Sequence, residues 1–78
     1  MSTKQSIILY STWGCHLCDS AEALLKQVEQ TYTVVDIVDD ANAFEKYRLL
    51  IPVISAGDKE LNWPFDAEQL AIWLKEVK

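Results

Sequence analysis

Glycine and proline are scarce in this chain of 78 residues, two of each, which excludes collagen-like and Pro/Gly-rich disordered classes. Positive charge is short as well: seven Lys and Arg stand against twelve Asp and Glu, a net −5. A nucleic-acid backbone or an anionic membrane surface would be repelled rather than bound. No apolar run approaches the ~18 residues of a membrane span. The first six residues lack the apolar stretch and small-residue cleavage site of a signal peptide. A cytoplasmic protein is expected. Cysteine is limited to Cys15 and Cys18. In a reducing compartment such a pair points to catalysis or metal binding more than to a structural staple.

What is present fits a single domain over residues 1–78, which on folding hides roughly 60–65% of its unfolded surface. Residues 6–11 are apolar and β-prone and read as a buried strand. Leu17, Ala21, Leu24, Leu25 and Val28 recur at helical spacing and predict a helix over about 16–30. Tyr32 to Val38 is rich in β-branched residues and reads as a second strand. Asp39-Asp40 offers an N-cap for a helix over roughly 40–49, with Ala43, Phe44 and Tyr47 on its apolar side. Pro52 ends it and holds Ile51 extended. Residues 53–55 read as a strand, 56–59 as a hairpin turn, and about 59–63 as a fourth strand. Asp66 with Gln69 forms a capping box and Phe65 staples onto Leu70, so a last helix starts there, with Leu70, Trp73, Leu74 and Val77 inward. The order β-α-β-α-β-β-α implies an α/β fold. Its mixed four-stranded sheet has a parallel first pair joined by a right-handed crossover, and helices flank it.

The chemistry is expected at Cys15-His16-Leu17-Cys18, where the first strand hands over to the first helix. Spacing of three in a helical turn brings the two α-carbons near disulfide separation, so the pair opens and closes with little backbone movement. The helix N-terminus favours negative charge, which makes Cys15 the more acidic thiol and the nucleophile, and Cys18 the resolving thiol. A zinc site needs about four ligands, whereas the only histidine lies between the two cysteines. Covalent haem attachment wants histidine after the second cysteine, where Asp19 stands. Two thiols packing as small hydrophobes remain the bland alternative. His16 has two readings, an imidazolium favouring the Cys15 thiolate or an exposed spacer, while the charge of Asp19 acts against the thiolate.

The strand–loop–CxxC–helix opening, Ile51-Pro52-Val53 ahead of a hairpin, and the acidic helix start at Asp66 together resemble the glutaredoxin branch of the thioredoxin-fold proteins, over about residues 7–74. The resemblance implies a thioredoxin fold, attack by Cys15 and resolution by Cys18. It also implies a cis Pro52 facing the dithiol, with the Ile51 backbone pairing an extended substrate. An ordinary trans proline ending the second helix is the alternative. Trp13 either contacts a partner or covers the sheet edge. Asp66 reads first as a cap and, by resemblance, as a contact for a ligand ammonium. Arg48 reads as an exposed helix charge or as a contact for an anionic substrate.

The chain departs from the family where glutathione is concerned. Residues 11–14 carry no basic side chain, Asn62-Trp63-Pro64-Phe65 stands in place of a Gly-Gly pair before Asp66, and His16-Leu17 replaces proline and tyrosine. The expected function is reduction of protein or small-molecule disulfides by a monomer with no tightly bound cofactor. Glutathione or thioredoxin reductase would supply electrons in cell redox homeostasis, with these departures counting against glutathione. The rival from another class is a non-enzymatic redox sensor whose Cys15–Cys18 bridge alters a partner surface around Trp13, Trp63 and Phe65. A third reading is a carrier of an iron–sulfur cluster.

Overall fold

In a computed structural model, residues 6–77 are described. The apolar run forms strand β1 (Ile7–Ser11), which alternates its side chains between two covered faces. Ile7 and Leu9 join Ala21, Leu25, Ile54, Ala56, Phe65, Leu70, Leu74 and Val77 in the larger core. Tyr10 turns the other way, onto a smaller cluster of Ile37, Ala43, Tyr47 and Val53. A strand buried on both faces needs apolar residues at successive positions, which is why the run is continuous rather than alternating.

Helix α1 (His16–Gln27) buries Cys18, Ala21 and Leu25, with Leu24 and Val28 partly covered. Leu17, expected on the inward stripe, is instead 51% exposed, and Cys18 is buried at 4%: the helix is rotated so that its inward stripe begins at Cys18. The helix also stops earlier than its apolar spacing suggests. Glu29 adopts φ 58, and the Gln30 and Glu29 amides donate to the Leu25 and Lys26 carbonyls at 3.0 Å each. This is a Schellman closure with glutamate in the left-handed position usually given to glycine.

Strand β2 spans only Thr33–Asp36. The expected continuation to Val38 is cut short because the Asp36 carboxylate accepts the Val38 amide at 3.1 Å, turning the chain into a 3-10 helix over Ile37–Asp39. Asp40 then caps helix α2 (Ala41–Tyr47), accepting the Asn42 and Ala43 amides at 2.9 and 3.2 Å. Ala43 and Tyr47, one turn apart, face the sheet. Phe44, expected beside them, is 42% exposed because so short a helix buries only a narrow stripe.

Strands β3 (Val53–Ala56) and β4 (Lys59–Asn62) form a hairpin closed by Gly57-Asp58, with Gly57 at φ 65 as a tight connection requires. Helix α3 (Ala67–Val77) begins at the expected capping box. The Gln69 amide donates to Asp66 Oδ1 at 2.7 Å and the Asp66 amide to Gln69 Oε1 at 3.0 Å. Leu70, Leu74 and Val77 are buried, while Trp73 packs on the core half-covered.

The sheet order is β2-β1-β3-β4. β1 pairs parallel with β2 and antiparallel with β3, and β3 pairs antiparallel with β4. The mixed sheet with the expected parallel first pair and hairpin is that of the thioredoxin fold. Register decides what meets at one end. Ser11 lies opposite Asp36 and Tyr10 opposite Val53, while the Trp63 amide donates to the Pro52 carbonyl at 3.3 Å. The loop after β1, the segment before β3 and the segment after β4 therefore leave the same end of the sheet.

Candidate functional site

Residues 12–15 connect β1 to α1. Gly14 sits at φ 81, and a Cβ there would meet nothing within 4 Å. Glycine is suited to this position by backbone conformation, not by crowding. The Cys15 amide donates to the Thr12 carbonyl at 3.3 Å, closing a turn that delivers Cys15, extended at φ −84 and ψ 107, to the N-cap of α1.

A Ser, Thr or Asp at an N-cap offers an oxygen to the first-turn amides. Here a sulfur does so: the Cys18 N–H donates to Cys15 Sγ at 3.2 Å. That donor and the helix dipole both favour negative charge on this sulfur. Cys15 is half-buried, whereas Cys18 is 4% exposed. The two are joined as a disulfide, with α-carbons 5.2 Å apart, inside the usual range for such a bond. One thiol thus faces outward at the helix mouth and the other sits beneath it.

His16 is exposed at the first residue of α1, and Asp19 is exposed in its first turn. Trp13 is 93% exposed, which removes the alternative that it covers the sheet edge. The Ile51–Pro52 bond is cis; Pro52 is buried and Ile51 half-buried. A second cis bond, Trp63–Pro64, has no counterpart in the sequence-based expectations. Phe65, assigned from sequence to a partner surface, is 6% exposed in the core with Leu70, its ring edge-on to half-buried Trp63 at 5.0 Å. It cannot serve such a surface because the staple that starts α3 turns it inward. Asp66 is exposed, with one carboxylate oxygen committed to capping α3. Arg48 is exposed at the C-cap of α2. Among the described residues, no three His, Cys, Asp or Glu side chains converge to hold a metal ion, and no helix is long and apolar enough to cross a membrane.

A groove of about 480 Å³ runs between α1 and β2 beside the dithiol. It takes in Trp13 and Cys18 from the expected residues, whereas Cys15, His16, Ile51, Pro52 and Asp66 are not part of its lining. Sequence reasoning missed Glu22, Val34 and Asp36, which line it too. Glu22 follows Cys18 by one helical turn, a detectable signal; Asp36 arrives through the Ser11–Asp36 pairing, which is nonlocal. The Tyr32 hydroxyl donates to Glu22 Oε2 at 2.8 Å. Its phenol is pushed up to about 12, first by burial and then by the Glu22 carboxylate.

A cysteine pair at the first turn of α1 on a thioredoxin fold defines a redox-type thiol protein. The sequence model of the Glutaredoxin-like domain (DUF836) matches residues 6–75, and the chain belongs to that family. Protein XcR50 from X. campestris, solved by X-ray crystallography, is similar, with 39% identity and a TM-score of 0.85 over 94% of this chain and 100% of that one. Its solution structure aligns at 39% identity and a TM-score of 0.84, over 94% and 96%. Protein Ne2328 from Nitrosomonas europaea, at 24% identity and a TM-score of 0.76 over 94% of each chain, shares the fold. None of the curated proteins matches the chain.

Proposed function

We propose that this chain is a dithiol–disulfide oxidoreductase that reduces protein or small-molecule disulfides. The Cys15 thiolate attacks one sulfur of the substrate disulfide. The S–S bond breaks, one substrate thiolate leaves and takes a proton, and a mixed disulfide remains on Cys15. Cys18, as thiolate, then attacks Cys15 Sγ, releasing the second substrate thiolate and leaving the Cys15–Cys18 disulfide. Two electrons have passed to the substrate, and a donor thiol must return them. Glutathione and thioredoxin reductase are the donors to offer. The lack of a basic side chain at residues 11–14 favours the second.

The observation that carries this reading is the Cys18 amide donating to Cys15 Sγ at 3.2 Å, on the outer thiol and not the buried one. In the same reading Ile51 and Pro52 offer backbone to an extended substrate, Trp13 flanks it, and the His16 imidazolium favours the thiolate. Asp66 holds the start of α3 and, through its second oxygen, meets a substrate ammonium.

Reduced protein is expected to turn over a mixed disulfide with glutathione, or a protein disulfide recycled by thioredoxin reductase. Cys15→Ser should be inert, while Cys18→Ser should accumulate the mixed disulfide by mass. A sensor draws support from Trp13, exposed beside the dithiol. If wild type and Cys15→Ser are equally inert in both assays while the bridge still forms in the wild type, the oxidoreductase reading fails and the sensor stands. His16→Ala is expected to raise the Cys15 thiol pKa in a thiolate-absorbance titration; superimposable curves would strike His16 from the site.

A further inference from the structure

The groove beside Cys18 is a concave surface attached to the dithiol, and its chemistry is one-sided. Gly14 and Cys18, which bracket Cys15, both line it. So do the carboxylates of Asp19, Glu22 and Asp36, and no Lys or Arg is in the lining. Two of these carboxylates are held in place: Glu22 by the Tyr32 hydroxyl at 2.8 Å and Asp36 by the Val38 amide at 3.1 Å. Trp13 at 93% exposure and Val34 at 46% supply apolar contact at its border. A lining that combines an exposed indole with three acidic residues suits an ammonium or guanidinium, which both kinds of group attract. The volume of about 480 Å³ falls within the range of ligand pockets. One flank is β2, an outermost strand of the sheet, whose outer edge can receive an extended chain.

We infer that this groove selects among disulfides: it receives a lysine- or arginine-bearing extended segment next to the reactive cysteine of a protein substrate. The inference rests on the oxidoreductase reading and adds the class of its substrate. The two faces of the active-site end then divide the work. The Ile51–Pro52 side pairs with substrate backbone, and the groove on the α1–β2 side reads the charge of a neighbouring residue. A substrate bearing carboxylates at this position, glutathione included, would meet like charge at Asp19 and Glu22.

The test is single-turnover oxidation of chemically reduced protein to its Cys15–Cys18 disulfide, acid-quenched and read by mass. The probes are two cysteine peptides of equal length, one lysine-rich and one glutamate-rich, each capped as a disulfide with 2-mercaptoethanol. Hydroxyethyl disulfide is the neutral reference and cystamine the small dication. At about 20 mM salt the basic peptide is expected to react about tenfold faster than the acidic one. The ratio should fall toward one at about 0.5 M salt. It should also fall in Glu22→Gln/Asp36→Asn, whose side chains retain their acceptor oxygens. A ratio near one in the wild type, with hydroxyethyl disulfide still consumed, would overturn the groove inference and leave the oxidoreductase standing. A ratio unchanged in the double variant would do the same. Cystamine matching the basic peptide would reduce the groove to a charge sensor with no use for a segment, which also overturns the inference. Failure with every disulfide would take the parent reading down with it.

Discussion

Tyr47 ties helix α2 to the hairpin, and removing its hydroxyl shows what that link contributes. Its ring stacks on Tyr10 with centroids 4.4 Å apart, and it packs in the cluster containing Val53 and Ile51. The hydroxyl donates to Glu60 on β4, whose carboxylate also meets Lys46 at 3.2 Å. Tyr47→Phe keeps the stacked ring and deletes one donor. A hydrogen bond to a charged group contributes roughly 1.5–3 kcal/mol when well shielded. The Glu60 side chain keeps 30% of its exposure, so water competes and a loss of about 1 kcal/mol is expected. In a domain of this size that lowers Tm by roughly 4–8 °C.

The pH dependence follows from the same contact. The Tyr47 hydroxyl, more than any other group, holds the Glu60 carboxyl below its ordinary value of 4.5, against the opposing effect of burial. A carboxyl with a depressed folded value stabilises fully above the unfolded value and loses that contribution as pH falls through the folded one. The Tyr47 phenol is raised above 10.0, chiefly by burial and then by Glu60. Its contribution is complete below 10.0 and is lost as pH rises through the folded value. The wild-type advantage over Tyr47→Phe should therefore be flat between about pH 5 and 10 and shrink on either side. Urea titrations followed by far-UV circular dichroism, combined in a cycle with Glu60→Gln, measure the coupling. Equal midpoints at pH 7, or a difference that persists undiminished at about pH 3, would refute the reasoning.

Two further substitutions test local backbone chemistry. Glu29→Gly places glycine at the φ 58 closure of α1 and is expected to stabilise the fold by about 0.5–1 kcal/mol, read as a raised urea midpoint. Asp66→Ala removes the oxygen that accepts the Gln69 amide at 2.7 Å and should cost about 1 kcal/mol, with Asp66→Asn recovering most of it.

Much of this protein is encoded locally. The Cys15–Cys18 spacing, the Asp40 cap, the Gly57-Asp58 turn and the Asp66–Gln69 box each lie within a few residues. Their physics is complete at that range: amides at a helix start need acceptors, and a tight turn needs a residue that tolerates positive φ. Element type, order and the reactive pair follow from such signals. The misread positions depended on rotation or on competing hydrogen bonds. Leu17 and Phe44 satisfy helical periodicity yet face outward, because periodicity defines a stripe without fixing its width or which residue leads it.

Tertiary structure alone decided the antiparallel pairing of β1 with β3, which joins the expected parallel pair to the expected hairpin in the order β2-β1-β3-β4, and the register beneath it. It placed Asp36 opposite Ser11 at the end of β1. It also opened a groove between α1 and β2, lined by acids separated in the sequence. Pairing between distant strands is selected by the whole set of buried faces at once, so no single segment carries the information that brings those carboxylates beside the dithiol.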